Sequence, residues 1–324
     1  MQTRRLVLGL ALSMAWTVSA RAQFQQADRQ GPRLENTTVE KWRFGIVVTA
    51  GAGACRGIVA TTSVPTNWPE QQVRVVEERF SPGVRVSYRM VDDAVREMTA
   101  QIASLGADER AEAIVTFEIR RSWQVAPDDT EVYTLPDVRK LDRSMRGFLV
   151  PSPYIESGHS RIRALAGRIG AGEKSAWKRV EAIYDWVREN VAFEDNRGGR
   201  VKGALETLRD GTGDCDEMTS LFIAICRAAS IPARTVRVPG HCYPEFYLED
   251  AEGRGHWFPC QAAGTRAFGE MPEHRPVLQK GDNLLLRDPQ TKRPARSRFL
   301  PDHLTIADAQ APPRFELVLE RVPD

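Results

Sequence analysis

The stretch from Gly211 to Arg234 puts a cysteine, Cys215, at the first turn of an amphipathic helix. Met218, Leu221, Phe222, Ile225 and Ala229 recur at i, i+3, i+4 and i+7 spacing, which predicts a buried helix. Asp214 and, three residues on, Glu217 mark its start. Cys215 therefore sits where unpaired backbone N–H groups and the positive end of the helix dipole favour a thiolate. Cys226 lies three turns further along the same face and reads as an ordinary core thiol.

The dipole is worth only about 0.3–1 kcal/mol at an exposed helix end, less than one pKa unit, so a reactive thiolate needs a cation beside it. A histidine is the natural partner, and the chain offers one about 26 residues downstream. After the helix come Arg234-Thr-Val-Arg-Val238, a Pro-Gly turn, His241-Cys-Tyr-Pro-Glu-Phe-Tyr-Leu248, a turn through Gly253 and Gly255, and His256-Trp-Phe-Pro-Cys-Gln261. The order predicted is helix, strand, strand, strand.

These residues resemble the transglutaminase-like superfamily, a papain-related group of Cys-His-Asp enzymes, over roughly residues 175–264. The elements that carry the resemblance are Gly213-Asp-Cys215 at a helix start, Arg227-Ala-Ala-Ser-Ile-Pro-Ala-Arg234 at its exit, His241 with Glu245 on a strand, and Trp257-Phe-Pro-Cys-Gln261. The resemblance implies Cys215 as nucleophile, His241 as general base and acid, and position 261 as the group that orients His241. There the chain departs from the family's Asp and carries Gln261. A neutral amide can hold an imidazole in the right tautomer for cysteine chemistry, although Gln is one methylene longer. The fold implied is α+β: a papain-like core, in which the Cys-bearing helix packs on an antiparallel sheet, preceded by a β-sandwich-like N-terminal domain.

Attack by a Cys215 thiolate on a carbonyl would give an acyl-enzyme. Water would resolve it in a peptidase or amidase; an amine would resolve it in a crosslinking acyltransferase. Hydrolysis is favoured, because excluding water requires special architecture. A non-catalytic binding module with a degenerate triad is the alternative from another class. The implied partner is a peptide or protein substrate, cell-envelope components included, and no cofactor is expected.

Other candidates read as structural. His256 is expected on the strand surface near the hairpin turn. His159, His274 and His303 lack ligand-like spacing, so no metal site is expected. Ser175-Ala-Trp-Lys178 matches a Ser-x-x-Lys pattern by chance, with Ser175 starting a helix. The basic run from Arg287 to Arg298, which includes Lys292, Arg293 and Arg296, reads as a solvated loop. If His241 lies opposite Gln261, the same register sets Cys242 opposite Cys260, at a spacing a disulfide can bridge; two packed reduced thiols are the other reading.

Residues 41–150 are expected to be β-rich, with Trp42, Phe44, Ile46 and Val48, and again Ala113, Val115, Phe117 and Ile119, alternating. One helix is expected near Asp92 to Leu105. Gly51-Ala-Gly-Ala-Cys55 reads as a loop too sparse to cradle a phosphate. Prolines 127, 136, 151 and 153 connect to a domain spanning 151–324. That domain starts with a helix over 173–189, buried through Trp177, Val180, Tyr184 and Val187. A loop at Gly198 and Gly199, a short helix near Leu205 and a C-terminal strand at Phe315-Glu-Leu-Val-Leu319 follow.

A net charge of +2 argues against a dedicated nucleic-acid binder. Residues 1–22 carry Arg4-Arg5, an apolar run from Leu6 to Val18 and the small-x-small signal Ala20-Arg-Ala22, the pattern of a cleaved secretory signal; residues 23–40 read as a linker. The run is too short to span a bilayer, so a periplasmic or secreted protein without a membrane anchor is expected. N-terminal sequencing of the native protein should find Gln23 or a residue close to it; an intact Met1 would refute the signal assignment.

Overall fold

The computed structural model describes residues 31–195, 199–287, 291 and 293–323. The expected signal segment 1–22, Gly198 and Lys292 lie outside the described residues. Six strands come first: β1 (Arg33–Thr49), β2 (Cys55–Val64), β3 (Gln71–Phe80), β4 (Val84–Val91), β5 (Val95–Leu105) and β6 (Arg110–Val125). A largely helical stretch follows, with α1 (Arg143–Arg146), α2 (Ser160–Ala166), α3 (Ala176–Asn190), strand β7 (Ala192–Phe193), α4 (Ala204–Asp210), strand β8 (Thr212–Gly213) and α5 (Cys215–Ala228). The chain then forms β9 (Ala233–Val238), β10 (His241–Glu249), β11 (Gly255–Pro259), β12 (Gln279–Lys280), β13 (Leu284–Arg287), β14 (Pro294–Ser297), β15 (His303–Ala309) and β16 (Arg314–Val322).

The N-terminal half is a sandwich, as its period-2 patterning predicts. One sheet has the order β16-β1-β6-β3. It packs Phe44, Ile46, Val48, Val115, Phe117 and Ile119 against Ile58, Ala60, Met98, Ala100 and Ile102 of β2 and β5. The expected C-terminal strand forms as β16 and pairs with β1, Phe44 opposite Leu319, while β15 pairs with β2. Both ends of the described chain therefore build this sandwich.

The helix expected over 92–105 does not form; those residues are β5 and the turn before it. Asp92 and Asp93 both adopt positive φ, 49° and 52°, between the antiparallel strands β4 and β5. Two left-handed residues in succession make the primed hairpin turn whose twist matches its strands. Asp tolerates that conformation, so the acidic pair is a turn rather than a helix start.

The second sheet runs through both halves of the molecule in the order β11-β10-β9-β12-β5-β2-β15. Two-residue β12 joins the halves: Gln279 pairs with Val95 of β5 and with Arg237 of β9. Over the β9–β11 end lies the helical layer. Helix α5 buries Leu221, Phe222, Ile225 and Cys226, and α3 buries Trp177, Val180, Tyr184 and Val187. The Trp177 ring meets Phe246, Phe258 and Phe268 edge-on, with centroids 5.1–5.6 Å apart. Ser175 caps α3, its hydroxyl accepting from the Lys178 N–H.

A buried ionic cluster ties the sandwich to this sheet. Lys280 of β12 donates to Glu245 of β10 at 2.6 Å and lies 2.8 Å from Glu70, next to β3; Arg121 of β6 approaches Glu70 at 3.5 Å. Burial raises the Glu245 pKa, but Lys280 and Arg234 more than offset it and hold the group down at about 2. A depressed folded-state pKa contributes stability in full above about 4.5, lost as pH falls towards about 2. Lys280→Met leaves two buried carboxylates short of a cation and should cost about 3–5 kcal/mol in urea denaturation at neutral pH. A loss below about 1 kcal/mol would show that the cluster does not join the halves.

Candidate functional site

Helix α5 starts at Cys215 because Asp214 caps it. The Asp214 carboxylate accepts from Asp216 N at 2.8 Å and Glu217 N at 3.3 Å, and the Glu217 carboxylate accepts from Asp214 N at 3.0 Å. This reciprocal capping box sets the position of Cys215, which is half-buried at the first helical residue. Short β8 immediately precedes it and pairs with β7 in parallel, Phe193 beside Gly213.

His241 opens β10 directly after Gly240, whose φ of 68° lets the chain reverse from β9. The His241 Nε2 and the Gln261 Oε1 are 3.0 Å apart. An amide oxygen only accepts, so Nε2 carries the hydrogen and the ring's other nitrogen is left for Cys215. Cys215 and His241 are close enough for each to shift the other's pKa. The structure thus brings Cys215, His241 and Gln261 together, and all three line one cleft of about 710 Å³.

The electrostatics of the cleft favour an ion pair. Hydrogen bonding from the Cys242 thiol, from His241 and from the Cys242 backbone N–H, with the His241 charge behind it, outweighs burial and brings the Cys215 pKa down to about 4. Burial lowers the His241 pKa, but hydrogen bonds to Cys215 and Gln261 and the Cys215 charge outweigh that and raise it overall. Both shifts run in the direction that favours a thiolate beside an imidazolium. Burial pushes the Cys226, Cys242 and Cys260 thiols well up.

Behind the cleft, motif residues hold the strands. Arg234 pairs with Glu245 at 2.7 Å and stacks 4.0 Å over the Trp257 ring. Arg227 is fully buried, donating to both oxygens of Asp282 at 2.8 and 2.9 Å and to Ala233 O. These contacts lock the exit of α5 to β9 and β9 to its neighbours.

Three residues bear on the site in ways that local sequence reading does not give: it passes over Arg188 and reads Cys242 and Arg298 otherwise. Arg188, at the end of α3, donates to the carbonyls of Gln261 at 3.0 Å, Ala262 at 3.3 Å and Gly264 at 2.8 Å, clamping the loop that carries Gln261. Cys242 rests its thiol 2.9 Å from Asp216 Oδ1 and 3.6 Å from Cys215 O. Arg298 corrects the reading of its segment as a solvated loop: it is 4% exposed and donates to Asp216 O at 3.0 Å. A cation at a helix N-terminus opposes the dipole, and the Asp216 carboxylate 3.5 Å away offsets it. None of the three has a signature nearby in sequence; a charge run reports average exposure, not the one member that turns inward.

One further expectation is corrected, and one open pair of readings, disulfide or free thiols, is decided. His256 is not a surface residue: its ring is 10% exposed and its Nε2 lies 2.7 Å from the buried Asp250 carboxylate. It pairs with Leu248, at the far end of β10 from His241. Cys242 and Cys260 are both free. The β10–β11 register sets Glu245 opposite Pro259, and Cys260 N donates to Pro244 O, so Cys260 lies two residues out of step with Cys242.

Residues 163–262 match the sequence model of the transglutaminase-like superfamily. An uncharacterised protein from Haemophilus influenzae is 28% identical over 109 residues, 33% of this chain and 29% of that protein; the match spans under a third of its length. The fold is similar to the crystal structure of a candidate cysteine protease from Cytophaga hutchinsonii, with a TM-score of 0.59 and 20% identity over 90% of this chain and 93% of the other.

Iodoacetamide should alkylate Cys215 selectively, at a rate nearly flat from about pH 5 to about pH 8, because the thiolate is already formed there. An ordinary thiol loses about tenfold in rate per pH unit below its pKa. Peptide mapping after alkylation reads the site and the profile; a rate that climbs tenfold per unit between about pH 6 and pH 8 would refute the ion pair.

Proposed function

We propose that this protein, which carries a transglutaminase-like domain over residues 163–262, is an exported cysteine hydrolase that cleaves amide bonds through a Cys215 acyl-enzyme. The observation that carries the reading is the convergence of Cys215, His241 and Gln261 in one cleft, with the thiol pKa brought down to about 4.

The Cys215 thiolate attacks the carbonyl carbon of a substrate amide. The developing oxyanion finds the Cys215 backbone N–H, which has no intrahelical acceptor at the first position of α5, in the favourable field of the helix end. The His241 imidazolium gives its proton to the departing amine as the C–N bond breaks, leaving a thioester. His241, now neutral, takes a proton from water; hydroxide adds to the thioester, and the Cys215 thiolate leaves as the carboxylic acid is released. Throughout, the Gln261 amide oxygen keeps the hydrogen on Nε2, so the proton in transit always uses the nitrogen that faces Cys215.

Water is the default acceptor in an envelope compartment, which favours hydrolysis over amine capture. Export rests on the N-terminal signal pattern. No helix among the described residues is long and apolar enough to cross a membrane. The substrate is a peptide or protein, cell-envelope components included.

Cys215→Ala should abolish hydrolysis of a peptide or cell-wall substrate pool, read by mass spectrometry, with the urea midpoint little changed. Gln261→Ala should lower kcat by about 10–100-fold with KM nearly constant. Product masses carrying an added amine rather than water would favour acyl transfer. No turnover by the wild type together with a slow, ordinary Cys215 thiol would favour a binding module.

A further inference from the structure

The reacting pair does not sit at a blind end. Asp214, Cys215, Gly240 and His241 line the large cleft and also a second cavity of about 300 Å³. The large arm continues over Met218, Ala262 and the exposed ring of Phe193. The small arm is lined by a different set, Val201, Arg237, Val238, Cys242 and Phe299. A carbonyl held at Cys215 thus borders two separately lined spaces, which leaves room for an amide inside an extended chain.

The small arm has a charge of its own. Arg237 leaves the middle of the sheet on β9, and its guanidinium carbon lies 5.2 Å from the centre of the Phe299 ring. Its one hydrogen bond is a long one, 3.4 Å to Leu300 O, and among the described residues no carboxylate lies within ion-pair distance of it. The neighbouring charges are engaged. Asp214 accepts from Asp216 N and Glu217 N; Asp216 meets Arg298 and the Cys242 thiol; the Arg298 guanidinium donates to Asp216 O. Arg275, which lines the other arm, is held by Glu273 at 2.9 Å. Among the described residues, Arg237 is therefore the cation along the cleft whose fork of donors is left open to a ligand, with the Phe299 ring beside it.

We infer that the small arm is a substrate subsite for a carboxylate, read by Arg237 over Phe299. The inference rests on the proposed function only in assigning the ligand to the substrate. The carboxylate belongs to an acidic side chain or to the end of a peptide chain, and the arginine recognises either by the same paired hydrogen bonds.

Binding to the Cys215→Ala protein tests the inference without requiring any chemistry. Three fluorescent octapeptides serve as probes: alternating Glu-Ala with an amidated end, alternating Gln-Ala with an amidated end, and alternating Gln-Ala with a free carboxyl end. Anisotropy titrations should give the Glu peptide or the free-end peptide about a tenfold advantage over the amidated Gln peptide, the size of one charge-assisted hydrogen bond. Whichever shows it names the source of the carboxylate. Adding Arg237→Gln should bring the three to parity, and Arg237→Lys should restore part of the advantage. Parity with Arg237 intact, a preference that survives Arg237→Gln, or no binding at millimolar peptide overturns the subsite. Failure of the proposed function shows elsewhere, as an unreactive Cys215 in the wild-type protein.

Discussion

Everything in the candidate site hangs on how β10 is held, because β10 carries His241 at one end and His256's partner strand position at the other. Midway along it, Glu245 is fully buried and meets Lys280 at 2.6 Å and Arg234 at 2.7 Å. A buried carboxylate in a low-dielectric interior is tolerated only with such partners, so the strand has one register in which Glu245 is satisfied. Lys280 also reaches Glu70 beside the sandwich, and Arg234 lies over Trp257 on β11. One charge thus fixes β10 against β9, β11 and β12, and it fixes the N-terminal sandwich against all of them. The sandwich is then more than an appendage: it supplies part of the electrostatic frame behind the site.

In front of that frame, the thiol is tuned by local geometry. The capping box sets Cys215 at a helix start, and the turn at Gly240 returns the chain so that His241 and Cys242 both reach it. Of the contributions to its low pKa, those from His241 and the Cys242 backbone come from the same two residues of one strand end. The Cys242 thiol, itself pushed well up by burial, keeps its proton and remains a donor beside Cys215. A single backbone placement therefore delivers the counter-ion and the hydrogen-bond donors together.

Much of this was legible in the sequence. The 3.6-residue apolar period with Asp214 and Glu217 gave away α5 and its first residue, and the alternation in β1 and β6 gave away the sandwich. What local patterns missed has two causes. Asp92-Asp93 resembles a helix start until its left-handed turn geometry is seen, and that geometry depends on β4 and β5 pairing. The other misses are contacts between residues far apart along the chain: Arg188 to Gln261 spans 73 positions and Arg298 to Asp216 spans 82. No window of sequence contains both partners. The conditional Cys242–Cys260 opposition has the same root, since a two-residue shift in β10–β11 register leaves the alternation of faces unchanged and so leaves no trace in the local pattern.

The Gln at position 261 also takes on physical meaning from one of those distant contacts. Arg188 pulls on the backbone of this loop at three carbonyls, Gln261's own among them, while the side chain of the same residue reaches the His241 ring at 3.0 Å. From that tethered backbone an Asp would fall short by about 1.5 Å, the length of one carbon–carbon bond. The longer side chain and the clamped loop therefore match each other. An amide here leaves the Cys215–His241 pair neutral overall, where a carboxylate would add a third charge to a half-buried cleft and raise the imidazolium's pKa further. Reach and charge both fit Gln to this loop, which supports the proposal that position 261 orients His241.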